Sequence, residues 1–158
     1  VTRPDDAWTL DEIKEYLEER KFDPEGVRCP CCDRQVKVYR RRFNAGMGRI
    51  VEWLYTAPGS PGWTNVARHA PRHVLRSKEV SRLVSWELVE GHDTEVGLYR
   101  LTDRGRRFVE GRVRVLSHGL FDRGHFLGFA GRRVSLRDVL EGGRFRRGEL
   151  REGARRGR

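Results

Sequence analysis

Apolar positions along the chain recur first at helical and then at strand intervals. In "WTLDEIKEYLEER" (8–20), Leu10, Ile13 and Leu17 form one stripe while Lys14 and Glu18 take the wet side. Thr9 followed by Glu12 makes a capping box, and Trp8 is placed to staple onto Ile13. "DPEG" (23–26) turns the chain, and "QVKVYRRRF" (35–43) alternates as a strand. A second helix is predicted in "GMGRIVEWLYTA", where Met47, Ile50, Val51 and Leu54 fall at i, i+3, i+4 and i+7. "PGSPG" (58–62) ends it and a short piece, "TNVARHA", follows. In "SKEVSRLVSWELVEG", Ser77 is the expected N-cap and Val80, Leu83, Val84 and Leu88 the expected buried face. A polar turn at "GHDTE" leads to a strand at "VGLYRL", and Thr102 caps a further short helix in "TDRGRRFVE". "RVRVLSHGLF" and "HFLGFA" flank the turn "DRG" (122–124) as a hairpin, and "SLRDVL" ends in a short capped helix.

These elements predict an α+β chain in four parts. Residues 1–44 hold the first helix, a cysteine step and a basic strand; 45–111 hold the helices and strands of the middle. Residues 112–143 form the hairpin with its short helix. The tail, 144–158, carries seven arginines against two glutamates and has almost nothing apolar to bury.

Charge adds a direction to this outline. The 158 residues carry a formal charge of +10 at a pI near 10.3, which points to a polyanionic partner. The base is nearly all arginine, with lysine only at 14, 21, 37 and 78. Arginine grips phosphate bidentately and stacks on bases; a GC-rich genome would enrich it as well. From Arg34 to Val51 there are six basic residues and no acidic one. No apolar run approaches the ~20 residues of a membrane span, the start has no signal-peptide character, and three cysteines within four positions make no disulfide framework. The expectation is a soluble cytoplasmic chain, nucleoid-associated if it binds DNA.

Between residues 46 and 110 the order is helix, short helix, longer capped helix, strand, turn, strand, helix. The segment "EVSRLVSWELVEG…GLYRLTDRGRRFVEG" resembles the recognition helix, wing and closing helix of MarR- or PadR-type winged helix-turn-helix proteins. Leu83, Leu88-Val89-Glu90, Tyr99, Leu101, Thr102, Gly105 and Phe108 carry the likeness. "WTNVARHAPRHVLRS" departs from it, being longer and more proline-broken than the usual second helix and turn. The resemblance implies double-stranded DNA as partner and a role in transcription regulation. Residues 78–88 would then read bases, with Lys78, Ser81, Arg82 and Ser85 on the outward face. Arg40, Arg41, Arg42 and Arg100 on the wing would contact phosphates. The bland alternative for that face is plain solvation.

"CPCC" (29–32), followed by Asp33 and a strand, resembles the first half of a zinc ribbon. Cys29 and Cys32 would be ligands, Cys31 a spare, and Asp33 stands where a glycine is usual. The second half on offer is "HAPRH", whose His69 and His73 would complete a closed, structural Cys2His2 site for Zn2+, although Pro71 interrupts a helical pair. Reduced thiols, surface or phosphate-binding histidines, a redox pair and a thiol metal sensor at Cys31-Cys32 are the alternatives. The CPxC step, "NAGM" (44–47) and the winged-helix segment together resemble small uncharacterised phage or prophage proteins, which implies a regulatory or replication-accessory role.

No Gly-rich phosphate loop, HExxH or Ser/His/Asp order is present, so the chain is read as no enzyme; a nuclease whose carboxylates converge only in space is the enzymatic alternative. Two other partners stay open. An interaction adaptor would grip protein, or a second copy as a homodimer, through Phe121, Phe126 and Phe129. RNA or single-stranded DNA could stack on Tyr39 and Phe43, rings that otherwise belong in a core.

Overall fold

The computed structural model describes residues 8–77 and 79–142. The expected basic tail and Lys78 lie outside the described residues. Among those residues the chain is α+β, with seven helices and small antiparallel sheets. It divides into two compact units: Val1–Arg41 with Leu120–Gly128, and Arg42–Gly119 with Phe129–Arg158.

The first unit begins with helix α1 (Leu10–Arg20). Its capping box forms as the sequence predicts: Thr9 Oγ1 accepts from the Glu12 N–H at 3.3 Å, and the Thr9 N–H donates to the Glu12 carboxylate at 2.7 Å. Trp8 meets Tyr16 edge-on at 5.3 Å. The turn after α1 leads into β1 (Val27–Arg28) and β2 (Gln35–Val36), an antiparallel pair with Val27 opposite Val36 and Arg28 opposite Gln35. The alternating run 35–43 is therefore not one strand. It divides into β2 and β3 (Tyr39–Arg42), because between them the Val38 N–H turns to the Lys21 carbonyl at 2.8 Å.

The second unit is built on α2 (Ala45–Thr56), capped by Asn44, whose side chain accepts from the Met47 N–H at 2.9 Å. Met47, Ile50, Val51 and Leu54 are all buried, as their spacing requires. There follow β4 (Thr64–Asn65), α3 (Val66–His69), α4 (Arg72–Ser77), α5 (Val80–Leu83), β5 (Val89–Gly91), β6 (Leu98–Leu101) and α6 (Asp103–Val109). The strands form an antiparallel sheet in the order β4-β6-β5, with Thr64 opposite Tyr99 and Val89 opposite Leu101. β7 (Val115–Asp122) and β8 (His125–Val134) make the predicted hairpin through a two-residue turn at Arg123-Gly124, both at positive φ. With β3 they give a second sheet in the order β3-β7-β8. A last helix, α7, occupies 136–142; Ser135 Oγ accepts from the Asp138 N–H at 3.1 Å, and the Ser135 N–H donates to the Asp138 carboxylate at 2.9 Å.

Aromatic rings centre the core of this unit. Phe43 packs edge-on to Trp86 at 5.5 Å and to Phe108 at 5.6 Å, and all three are buried. Gly105 lets α6 pack closely on the Leu88 backbone, since a Cβ there would lie 2.0 Å from the Leu88 carbonyl oxygen.

The long helix expected from Ser77 to Leu88 is replaced by shorter pieces. Ser77 closes α4 instead of capping a new helix, α5 stops at Leu83, and 84–87 form a turn. Glu87 takes a left-handed φ of 57°, and its carbonyl accepts from Thr102 Oγ1 at 2.6 Å. The turn carries Trp86 inward, where its indole N–H reaches the Leu116 carbonyl at 2.9 Å. Val84, expected inside, is left 43% exposed. Burying the larger indole with its N–H satisfied outweighs burying one valine.

Candidate nucleic-acid interface

In the second unit, α3 and α4 carry a basic surface. Asn65 caps α3 by accepting from the Arg68 N–H at 3.0 Å. Pro71 ends that turn and its carbonyl starts the next, accepting from the N–H groups of Val74 (2.9 Å) and Leu75 (3.1 Å). Val66, Ala70 and Val74 are buried and anchor the two helices. Arg68, His69, Arg72, His73 and Arg76 are left exposed. No Asp or Glu occurs from Trp53 to Lys78. Among the described residues no ion pair holds Arg68, Arg72 or Arg76. Three unneutralised guanidinium groups on short, well-anchored helices suit phosphate contact. The acid-free run was the available signal for this face.

The residues expected to read DNA stand in less open surroundings. Ser81 and Arg82 are exposed and Ser85 is half-buried, on and just after the four-residue α5. Arg82 is held by the Glu79 carboxylate at 2.8 and 2.7 Å, which offsets part of its charge. Arg100 is paired with the Glu90 carboxylate and lies over the Trp63 ring at 4.3 Å. The β5–β6 tip, 92–97, carries Asp93 and Glu95, so it presents acid where a phosphate contact was expected. His92 organises it: its Nδ1 accepts from the Thr94 N–H at 3.3 Å and the Glu95 N–H at 3.1 Å, leaving Val96 99% exposed. Arg40, Arg41 and Arg42 are all exposed on β3, with Arg41 over the Tyr39 ring at 5.6 Å. Of the two rings considered for base stacking, Phe43 is core and Tyr39 is exposed.

The cysteine step closes the β1–β2 hairpin. The Cys29 N–H donates to the Arg34 carbonyl and the Asp33 N–H to the Cys29 carbonyl, both at 2.8 Å. Asp33 adopts φ 57°, the left-handed conformation that a glycine usually supplies at this place. The backbone N–H groups of Cys32 and Cys31 donate to the Cys29 sulfur and hold its thiol below the ordinary cysteine range. Burial and the neighbouring Cys29 sulfur push the Cys31 thiol up. A cysteine sulfur facing two amide donors on a tight turn fits half of a tetrahedral zinc site. His69 and His73 belong to the other unit, and both are exposed. Among the described residues no group of three or more His, Cys, Asp or Glu side chains is placed to hold a metal ion.

No helix among the described residues is long and apolar enough to cross a membrane. No family model, no curated protein and no solved structure matches the chain.

Proposed function

We propose that the chain binds double-stranded DNA through a winged helix-turn-helix spanning residues 45–110. The order α2, β4, α3, α4, α5, β5, β6, α6 supports this reading, as does β4 pairing on the free side of β6 beside the β5–β6 hairpin. The observation that carries it is the exposed, acid-free face of Arg68, Arg72 and Arg76 on α3 and α4. Those arginines track phosphates and position the segment around Ser81 and Arg82 against base edges. The acidic β5–β6 tip stays clear of the backbone. A regulatory or accessory role of the kind found in phage proteins is the function this binding would serve.

The test is a salt series with a fluorescent duplex, comparing the chain with its Arg68→Ala/Arg72→Ala/Arg76→Ala variant. Each phosphate contact contributes about 0.9 to the slope of log K against log salt, so the variant should flatten that slope by about 2 to 3. Absence of duplex binding at low salt, or an unchanged slope in the triple variant, sinks the proposal.

A second reading rests on Tyr39, Phe126 and Leu127, apolar side chains left exposed in the first unit. As a protein-interaction adaptor the chain would retain a partner at salt concentrations that release DNA, and Phe126→Ser would abolish that binding.

A further inference from the structure

We infer that the cysteine knuckle is one half of a zinc site completed by a second copy of this chain, with Cys29 and Cys32 of each copy around a single Zn2+. The inference is independent of DNA binding and concerns the other unit.

Four observations lead to it. The half-site is already shaped: the Cys29 N–H donates to the Arg34 carbonyl, the Asp33 N–H donates to the Cys29 carbonyl, and Asp33 turns the chain at a left-handed φ of 57°. It is also accessible: Cys31, Cys32, Asp33 and Arg34 are exposed at the end of a two-stranded hairpin. A copy can therefore approach it and present the identical pair across a two-fold axis through the metal.

Third, the unit that holds it is short of other support. Every buried apolar side chain among the described residues belongs to the second unit. Small folds without an apolar core are commonly held by a metal.

Fourth, charge favours four thiolates over the Cys2His2 set. Binding of Zn2+ by four thiols releases four protons to solvent and leaves a centre of net charge −2. Each knuckle carries Arg28 and Arg34 against Asp33, with Arg28 bonded to the Asp33 carboxylate at 3.0 Å. Two knuckles thus bring a surplus of two positive charges, which balances the centre. His69 and His73, by contrast, sit beside the exposed Arg68 and Arg72 of the other unit, where a dication is repelled.

The experiment loads the full chain with ZnCl2 and measures bound zinc together with mass in solution, by native mass spectrometry and sedimentation. The expected result is one zinc per two chains in a dimer that a chelator separates. Cys29→Ser and Cys32→Ser should each lose both metal and dimer, whereas Cys31→Ser and His69→Ala/His73→Ala keep them. Cobalt substitution of the unmutated chain gives a readout free of folding effects, since four thiolates produce roughly twice the sulfur-to-cobalt charge-transfer intensity of two. One zinc per monomer, lost in the histidine variant, would overturn the inference, as would a chain that retains no zinc or a dimer indifferent to chelation. Failure of these tests leaves the duplex salt series unaffected, so the two proposals stand or fall separately.

Discussion

The two units of this chain are stabilised by opposite means. In the second, Ile50, Val51, Leu83, Trp86, Leu88 and Phe108 are sealed from water in one aromatic-centred core. In the first, α1 has no buried side chain, and the buried residues among those described are Lys21, 7% exposed, and Asp122, 5% exposed. Lys21 Nζ lies 3.4 Å from the Asp122 carboxylate and also bonds Glu18, while Arg123 reaches Asp122 from outside at 3.3 Å. A core of apolar area gains from every atom it covers. A buried ion pair contributes little net stability over an apolar replacement, yet is costly to half-remove. One unit therefore folds by burial, and the other by matched partners.

Trp86→Ala should show the largest effect, costing about 3–5 kcal/mol by emptying the centre of the second unit; urea unfolding followed by far-UV circular dichroism measures it. Gly105→Ala should follow at about 1–3 kcal/mol, because the new methyl meets the Leu88 backbone, which has no flexible end to swing away. In the first unit Lys21→Met should cost about 1–3 kcal/mol, confined to hydrogen-exchange probes on α1 and the β7–β8 turn. Lys21→Met with Asp122→Leu should cost less than the single change. If the double variant is instead the worse one, the first unit depends on burial after all and the contrast breaks.

pH sharpens the same contrast with smaller effects. The Glu18 carboxylate, joined by Asp122 and opposed by burial, holds the Lys21 ammonium protonated above the ordinary lysine range. Its contribution is whole below the unfolded value of about 10.4 and fades as pH rises through the folded one. An alkaline melting series should therefore fall more steeply for the native chain than for Lys21→Met. The exposed capping carboxylates run the other way. N–H donation from Thr9 to Glu12, and from Ser135 to Asp138, keeps both acids below the ordinary carboxylate range. Their small contributions are present at neutral pH and vanish as pH falls through the folded values; an acid titration of helicity in Glu12→Gln should be flatter than in the native chain.

Local signals in the sequence translated directly into structure. Thr9 and Thr102 mark helix starts because capping involves residues three apart, and the stripe Met47, Ile50, Val51, Leu54 names its own buried face. What failed depended on distant partners. Val84 lost its place inside because Trp86 could reach the Leu116 carbonyl, thirty residues away, a contact no local period records. β4 is two residues long and exists by pairing with β6, so its own composition says nothing. The candidate site was half legible. The acid-free run 53–78 was readable as charge, but which arginines stay unpaired depends on where Glu79 and Glu90 turn.

The scarcity of buried apolar surface around α1 also reaches into calorimetry. The heat-capacity change of unfolding scales with the apolar area newly wetted, and the first unit has little to wet. Its free energy should vary almost linearly with temperature, without the dome that a burial-driven fold displays. The second unit, with Trp86, Phe43 and Phe108 at its centre, carries the curvature for the whole chain. A scan should resolve a shallow, broad transition beside a sharp one, the first distinguished less by its midpoint than by its flat baseline step.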